Sequence, residues 1–179
     1  MVQKIKLILI GLTGLSLLFT VIGLIMPSSV KISRGIIVSA DSAMVTQKIM
    51  DMRSWQTWMT WLQSDDGSLV RIEESGDTRS MIWNHLGGKQ SGKISLYGVD
   101  DDLIRMQFTF PGMNKAEGGI HVRGTNQHQT EILWMIEYPL RWYPWERFEG
   151  IFLDALIGRQ LEDSLKKLQT VMGHTQNLF

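Results

Sequence analysis

Four histidines, His85, His121, His128 and His174, and three consecutive aspartates, Asp100–Asp102, are the side chains that could hold a metal or move a proton. Their spacing argues against both. No two histidines stand four apart on a helix, and there is no HExxH. The aspartates lack the alternating D-x-D-x-D-G spacing of a calcium loop, so a solvated turn is the better reading. His85 falls in a turn, and His121 has the strand parity opposite to Ile120 and Val122, which places it on a wet face. Glu73 and Glu74 are adjacent, so a strand sends them to opposite faces and they form no dyad. The chain has no cysteine, which removes thiolate metal sites, disulfides, cysteine nucleophiles and a lipoprotein signal. A G-x-S-x-G elbow, a P-loop and a dinucleotide fingerprint are missing too. No catalytic residue, metal ligand or cofactor is assigned. A binding role is favoured over an enzymatic one.

The aromatic residues are the richer signal. SWQTWMTWL (54–62) holds Trp55, Trp58 and Trp61 at every third position. That spacing suits a tight helical turn, which would stack the three into one ridge. The favoured role is core, with Trp58 or Trp61 at the rim of a cavity as the functional alternative. A second cluster, YPLRWYPWERF (138–148), interleaves Trp142, Tyr143 and Trp145 with Arg141 and Arg147. Such residues pack over a helix start or sit at a membrane–water interface; packing is the favoured reading.

These residues need elements to hold them. Between positions 30 and 40 the chain alternates as a strand, and AMVTQKIMDM after Asp41 or Ser42 reads as a short helix. Six strands broken by turns follow, at 69–74, 79–84, 89–97, 103–110, 116–124 and 130–138. Turn signals fall at Ser64–Gly67 and Gly87–Gly88, among others. Ile104, Met106, Phe108 and Phe110 share one parity, as do Ile132, Trp134, Ile136 and Tyr138. That is an antiparallel sheet with one buried and one wet face. Arg34 shares parity with Ile32, Ile36 and Val38; an end-of-strand surface position is favoured over a buried anchor for a ligand carboxylate. Residues 146–172 form one long amphipathic helix, with Phe148, Phe152, Ala155, Leu161, Leu165 and Leu168 as its apolar side. Gly158 within it marks a kink or a close approach to the sheet. The fold class is α+β: a curved antiparallel sheet of about seven strands around a long C-terminal helix.

Ahead of this lies LILIGLTGLSLLFTVIGLIM (7–26), without a charge and closed by Pro27. At ~1.5 Å per residue it reaches ~30 Å, one hydrocarbon thickness. The run exceeds the usual ~7–15 residues of a signal-peptide core and no A-x-A site follows, which favours an anchor over a cleaved signal. Lys4 and Lys6 favour a cytoplasmic N-terminus, while Lys31 and Arg34 pull the other way. The expectation is a single-pass anchor at 1–29 in the cytoplasmic (inner) membrane, with the domain at 30–179 on the non-cytoplasmic side. Formal net charge is zero, which gives no case for nucleic acid.

Taken together, the anchor ending in Pro27, the strand SRGIIVSA (33–40), the cluster DMRSWQTWMTW (51–61), the turn WNHLGGKQSG (83–92) and F-x-D-x-x-I-G-R-Q-L-E-D-S-L-K-K-L (152–168) resemble the START/polyketide-cyclase (SRPBCC) superfamily, in its bacterial branch with an N-terminal membrane segment. The resemblance implies a helix-grip fold around an apolar cavity, in a family that binds lipids, sterols or polyketides and in places catalyses cyclisation or dehydration. Two positions depart from it: Thr60 stands where the family often has proline, and Ala40-Asp41 where it often has alanine-proline. The expected partner is a hydrophobic small molecule or lipid. The expected lining is Trp58, Trp61, Trp83, Ile94, Met106, Phe108, Ile120, Trp134, Ile136, Phe152 and Leu156. A cyclase- or dehydratase-like enzyme and an interaction module with a filled core are the alternatives.

Overall fold

The computed structural model describes residues 2–63, 69–76, 78–84, 91–125, 128–141 and 143–176. His85, Trp142 and the turns at Ser64–Gly67 and Gly87–Gly88 lie outside them. Helix α1 (Val2–Ile25) is followed by β1 (Ser29–Val38), α2 (Ser42–Met50), the short α3 (Trp55–Trp58) and then β2 (Leu69–Ser75). Next come β3 (Thr78–Asn84), β4 (Gly92–Asp100), β5 (Leu103–Thr109), β6 (Ala116–Gly124), β7 (Thr130–Pro139) and α4 (Pro144–Gln176). The seven strands form one curved antiparallel sheet in the order β1-β7-β6-β5-β4-β3-β2. Consecutive hairpins build β2 to β7, and β1 closes the far edge on β7. This is the helix-grip arrangement.

Alternation sets which face is buried. Ile104, Met106 and Phe108 on β5, Ile120 on β6, and Ile132, Trp134 and Ile136 on β7 all point inward and are buried. Register places Ile104 beside Ile120 and Ile120 beside Trp134, so these side chains form rows across the sheet. Glu117, Glu131 and Glu137 stay on the exposed face.

Helix α4 corrects one expectation. Its buried stripe is Leu153, Leu161, Leu165, Leu168 and Met172, with Ile157 half-buried beside it. Phe152 and Ala155 are exposed. The expected stripe joined two faces, because IFLDALI (151–157) is apolar almost all round and its period does not say which side meets the sheet.

Arg34 lies beneath α4 rather than free at the surface. Its guanidinium meets Asp154 at 3.2 Å and the Ser33 carbonyl at 2.8 Å. It crosses α4 at Gly158, where an added methyl would stand 2.7 Å from the Arg34 guanidinium carbon. Gly158 thus marks a close approach to the sheet.

Helix α1 is long and apolar enough over Gln3–Ile25 to cross a bilayer, and nearly all its side chains are exposed. Its end is tied down. The Leu140 N–H donates to the Ser28 carbonyl at 2.8 Å, and the Arg147 guanidinium donates to the Met26 carbonyl.

Gly158→Ala is expected to show non-additivity with Arg34. In an Arg34→Ala background it gains the usual helix preference of about 1 kcal/mol. In the wild-type background the gain shrinks, because the methyl displaces Arg34 from Asp154, a half-exposed pair worth at most about 1 kcal/mol. Denaturant unfolding of the four proteins in detergent checks this; equal gains in both backgrounds would show that Arg34 does not lean on Gly158.

Candidate functional site

The space between sheet and α4 is closed at one end by residues 52–62. The expected continuous ridge does not form. Trp55 and Trp58 belong to α3, Met59 is extended at φ −82° and ψ 112°, and Trp61 sits on a separate 3-10 turn, Thr60–Leu62. The break sends the rings to different partners. Trp55 and Trp58 meet edge to face at 6.2 Å, and Trp58 goes on to Trp134 at 5.8 Å. Trp61 meets Trp134 at 5.5 Å and Phe108 at 5.8 Å.

Of the expected lining residues, Trp58, Trp83, Ile94, Met106, Phe108, Ile120, Trp134 and Ile136 are buried on this inner side, and Trp61 is half-buried at its edge. Trp58 is therefore core, and Trp61 is the half-buried member of the cluster. Phe152 and Leu156 are not on this inner side. They are 72% and 63% exposed on the outer side of α4, for the reason given above.

The polar atoms of the cluster are unequal. The Trp55 indole N–H donates to the Ile49 carbonyl at 2.7 Å. Those of Trp58, Trp61 and Trp134 are buried without an acceptor. The three orphans belong to rings in mutual contact, and each costs about 1–3 kcal/mol. Buried donors are ordinarily paired, so three in one cluster call for a partner.

Thr60 explains its departure from proline. Its backbone N–H donates to Ser164 Oγ at 3.0 Å, and the Ser164 hydroxyl donates to the Gln160 carbonyl at 2.7 Å. The Trp61 turn is thereby latched to α4 through an N–H that proline lacks. No sequence pattern announced Ser164, a lone serine on a helix.

A broad concavity lies elsewhere among the described residues. A hollow of about 880 Å³ opens on the outer face of the sheet, bordered by Lys31, Tyr97, Arg105, Glu117 and Glu137. Only Met106 and Ile136 of the expected lining reach it. Asp102 is on that outer side, held below the usual carboxylate range first by the Arg123 guanidinium and then by His121, whose Nδ1 is 3.1 Å away. His121 thus projects outward, as its parity requires, but is paired. Asp100 is paired with Arg105 in the same turn. On α4, the Lys166 ammonium beside Glu162 lowers that carboxyl. All these charges are at the surface, and among the described residues no group of three or more acids or histidines is arranged to hold a metal ion.

The chain has the START/polyketide cyclase-like (SRPBCC) fold. It is similar to the Zhui aromatase/cyclase from Streptomyces sp. R1128, at 13% identity over 81% of this chain and 94% of that one, with a TM-score of 0.63. It is likewise similar to a START superfamily protein from Mycobacterium smegmatis, at 14% identity over 82% and 99% of the two chains, TM-score 0.62. A third neighbour is the protein XoxI from Bacillus cereus, at 18% identity over 82% and 98%, TM-score 0.59. No protein-family model matches the sequence, and no curated protein matches it.

Two outcomes test this geometry. Ser164→Ala strands the Thr60 N–H and is expected to destabilise the fold by about 1–2 kcal/mol. Thr60→Pro removes the N–H of that latch and, with the Thr60 hydroxyl, its bonds to Ser164 Oγ at 2.9 Å and to the Gln160 carbonyl at 3.2 Å. Chemical unfolding of the two single variants and the double variant decides it: the double should cost less than the sum of the singles, and additive costs would refute the latch. The second outcome concerns pH. Asp102 has a lowered folded pKa, so its contribution is present above its unfolded value and is lost as pH falls through the folded one. Stability of the wild type should therefore rise with pH across that acid window, and Asp102→Asn should flatten this part of the profile.

Proposed function

We propose that residues 1–29 anchor this protein in the cytoplasmic membrane and that residues 30–179 are a START-like binding domain on the non-cytoplasmic side. Its ligand is an apolar molecule, a lipid or small hydrophobic compound, that carries oxygen acceptors. The observation that carries this reading is the set of three buried indole donors, Trp58, Trp61 and Trp134, without acceptors inside an apolar shell. An oxygen-bearing apolar ligand would bury its body by the hydrophobic effect and satisfy the donors, the usual division of labour in small-molecule sites. Entry is easiest at Trp61, which is only half-buried.

Neighbours in fold lend support, since they include an aromatase/cyclase and a START superfamily protein. Among the described residues no Asp, Glu, His, Lys or Arg is buried; the buried hydroxyls are those of Ser54, Ser80, Ser95, Thr130 and Ser164 and the phenol of Tyr138. General acid–base chemistry needs an ionisable group with a shifted pKa at the site, so binding is the better-supported reading than a cyclase or dehydratase. Membrane attachment is supported by the length and apolar character of α1 and by Lys4 and Lys6 ahead of the apolar run.

One observation favours a second reading. Trp55, Trp58, Met59, Phe108 and Trp134 are all fully buried, and the hollow of about 880 Å³ is on the opposite face of the sheet. A domain with a filled core that serves as an interaction module would look the same.

Native mass spectrometry of the full chain extracted in mild detergent, followed by organic extraction, separates the two. The expected result is a discrete co-purifying apolar mass. Titration with fatty acids, phospholipids and aromatic polyketides should then quench tryptophan emission saturably. Trp61→Phe and Trp134→Phe, which keep a ring but lose the donor, should each weaken binding by up to about tenfold. A clean apo mass with flat titrations would leave the interaction module.

A further inference from the structure

Helix α4 changes character along its outward side. Trp145, Phe152 and Leu156 are 63%, 72% and 63% exposed there, with Ile151 at 61% beside them. One turn further the same side becomes Arg159, Asp163, Lys166 and Thr170, all exposed. The inward side of α4 stays apolar past this point, so the switch belongs to whatever lies outside. Four large apolar side chains on three turns form a patch that a freely solvated helix would not carry.

The position of α1 indicates the occupant. Phe19 of α1 packs edge to face on Phe148 of α4, with centroids 6.0 Å apart. Phe19 precedes Met26 by seven residues, or about 10 Å of helix. The start of α4 therefore lies along the flank of α1 rather than beyond its end. Tyr143 and Trp145 are stacked at 4.9 Å with nearly parallel planes, the residue types that favour the head-group layer. Arg147, bonded to the Met26 carbonyl, lies within this stretch and Arg159 follows it, while Glu146, Glu149 and Asp154 fall on the same turns.

We infer that the first three turns of α4 lie in the interfacial layer of the bilayer alongside α1, as a second, non-spanning membrane contact. This rests on the proposal that α1 spans the membrane. An interfacial helix buries its apolar side roughly 5–10 Å into the head-group boundary, which matches the depth that the Phe19–Phe148 contact imposes. The polar half, from Arg159 onward, rises out of that layer.

The chain has no cysteine, so single cysteines can be spin-labelled without removing others. The full chain would be reconstituted in vesicles of phosphatidylethanolamine and phosphatidylglycerol, with labels at Leu15→Cys, Phe152→Cys, Leu156→Cys, Asp163→Cys or Thr170→Cys. Collision with oxygen, which partitions into lipid, is compared with collision with a water-soluble nickel chelate. These labels replace exposed side chains and need no room in the core; helical circular dichroism verifies each variant. The expected result is an oxygen-to-nickel ratio at 152 and 156 close to that at 15 and severalfold above that at 163 and 170. If 152 and 156 match 163 while 15 reports lipid, the interfacial contact is refuted and the anchor stands. Labels at 152 and 156 that neither reagent reaches would mean that protein, such as a second copy of the chain, covers the patch, and would refute the contact too. A label at 15 that reports water overturns the anchor, and the interfacial contact with it.

Discussion

The fold depends on burying Trp134. It stands on β7, between Arg34 of β1 and Ile120 of β6 in register, and Trp58 and Trp61 press on its ring from the segment above. Those two come from a four-residue helix and a three-residue turn, neither of which is stable alone. Burial must hold them. A tryptophan removes about 150–250 Å² from water, worth up to about 4–6 kcal/mol at 25 cal/mol per Å². An orphan indole donor takes back about 1–3 kcal/mol. Apolar burial therefore wins at each ring, and the cluster closes on itself although three of its indole donors are unpaired.

Much of the architecture was legible in the sequence, and the failures have a common cause. Strand parity alone placed Ile104, Met106, Phe108, Trp134 and Ile136 on the inner face, because a period of two has only one alternative and the acids of β7 mark it as wet. Helical period is more forgiving. Phe148, Phe152 and Ala155 look continuous with Leu161, yet the step from Ala155 to Leu161 is six residues, and that break was the sign of a change of face. The tryptophan triplet misled similarly: spacing of three is regular on paper, but extended Met59 interrupts the helix between the second and third rings. Local period cannot reveal such an interruption when the competing interaction is with a residue far along the chain, here the latch of Thr60 to Ser164.

Arg34 shows the same limit for charge. Its parity put it among inward apolar residues, and a charge there is ordinarily too costly to expect. The cost is removed by Asp154 and by Gly158, which leaves room for the guanidinium under the helix. A glycine that weakens α4 and an acid on its sheet-facing side look like unrelated flaws in the sequence. They are two parts of one site, and only the pairing of β1 with α4 reveals it.

The connection between α1 and the grip is short enough to be mechanical. Only Met26, Pro27 and Ser28 separate α1 from β1, and Ser28 is hydrogen-bonded to Leu140 just after β7. β1 pairs along its whole length with β7, the strand that carries Trp134. Arg147 closes the loop by joining the start of α4 to the end of α1. An orientation imposed on α1 is thus passed to both walls of the grip, the sheet through β1 and the helix through Arg147. A single flexible tether would let the domain tumble; these contacts fix which side of α4 lies against α1. The apolar first turns of α4 lie beside α1 and its charged later turns lead away from it, so the pattern along the helix and the shortness of the junction express one constraint.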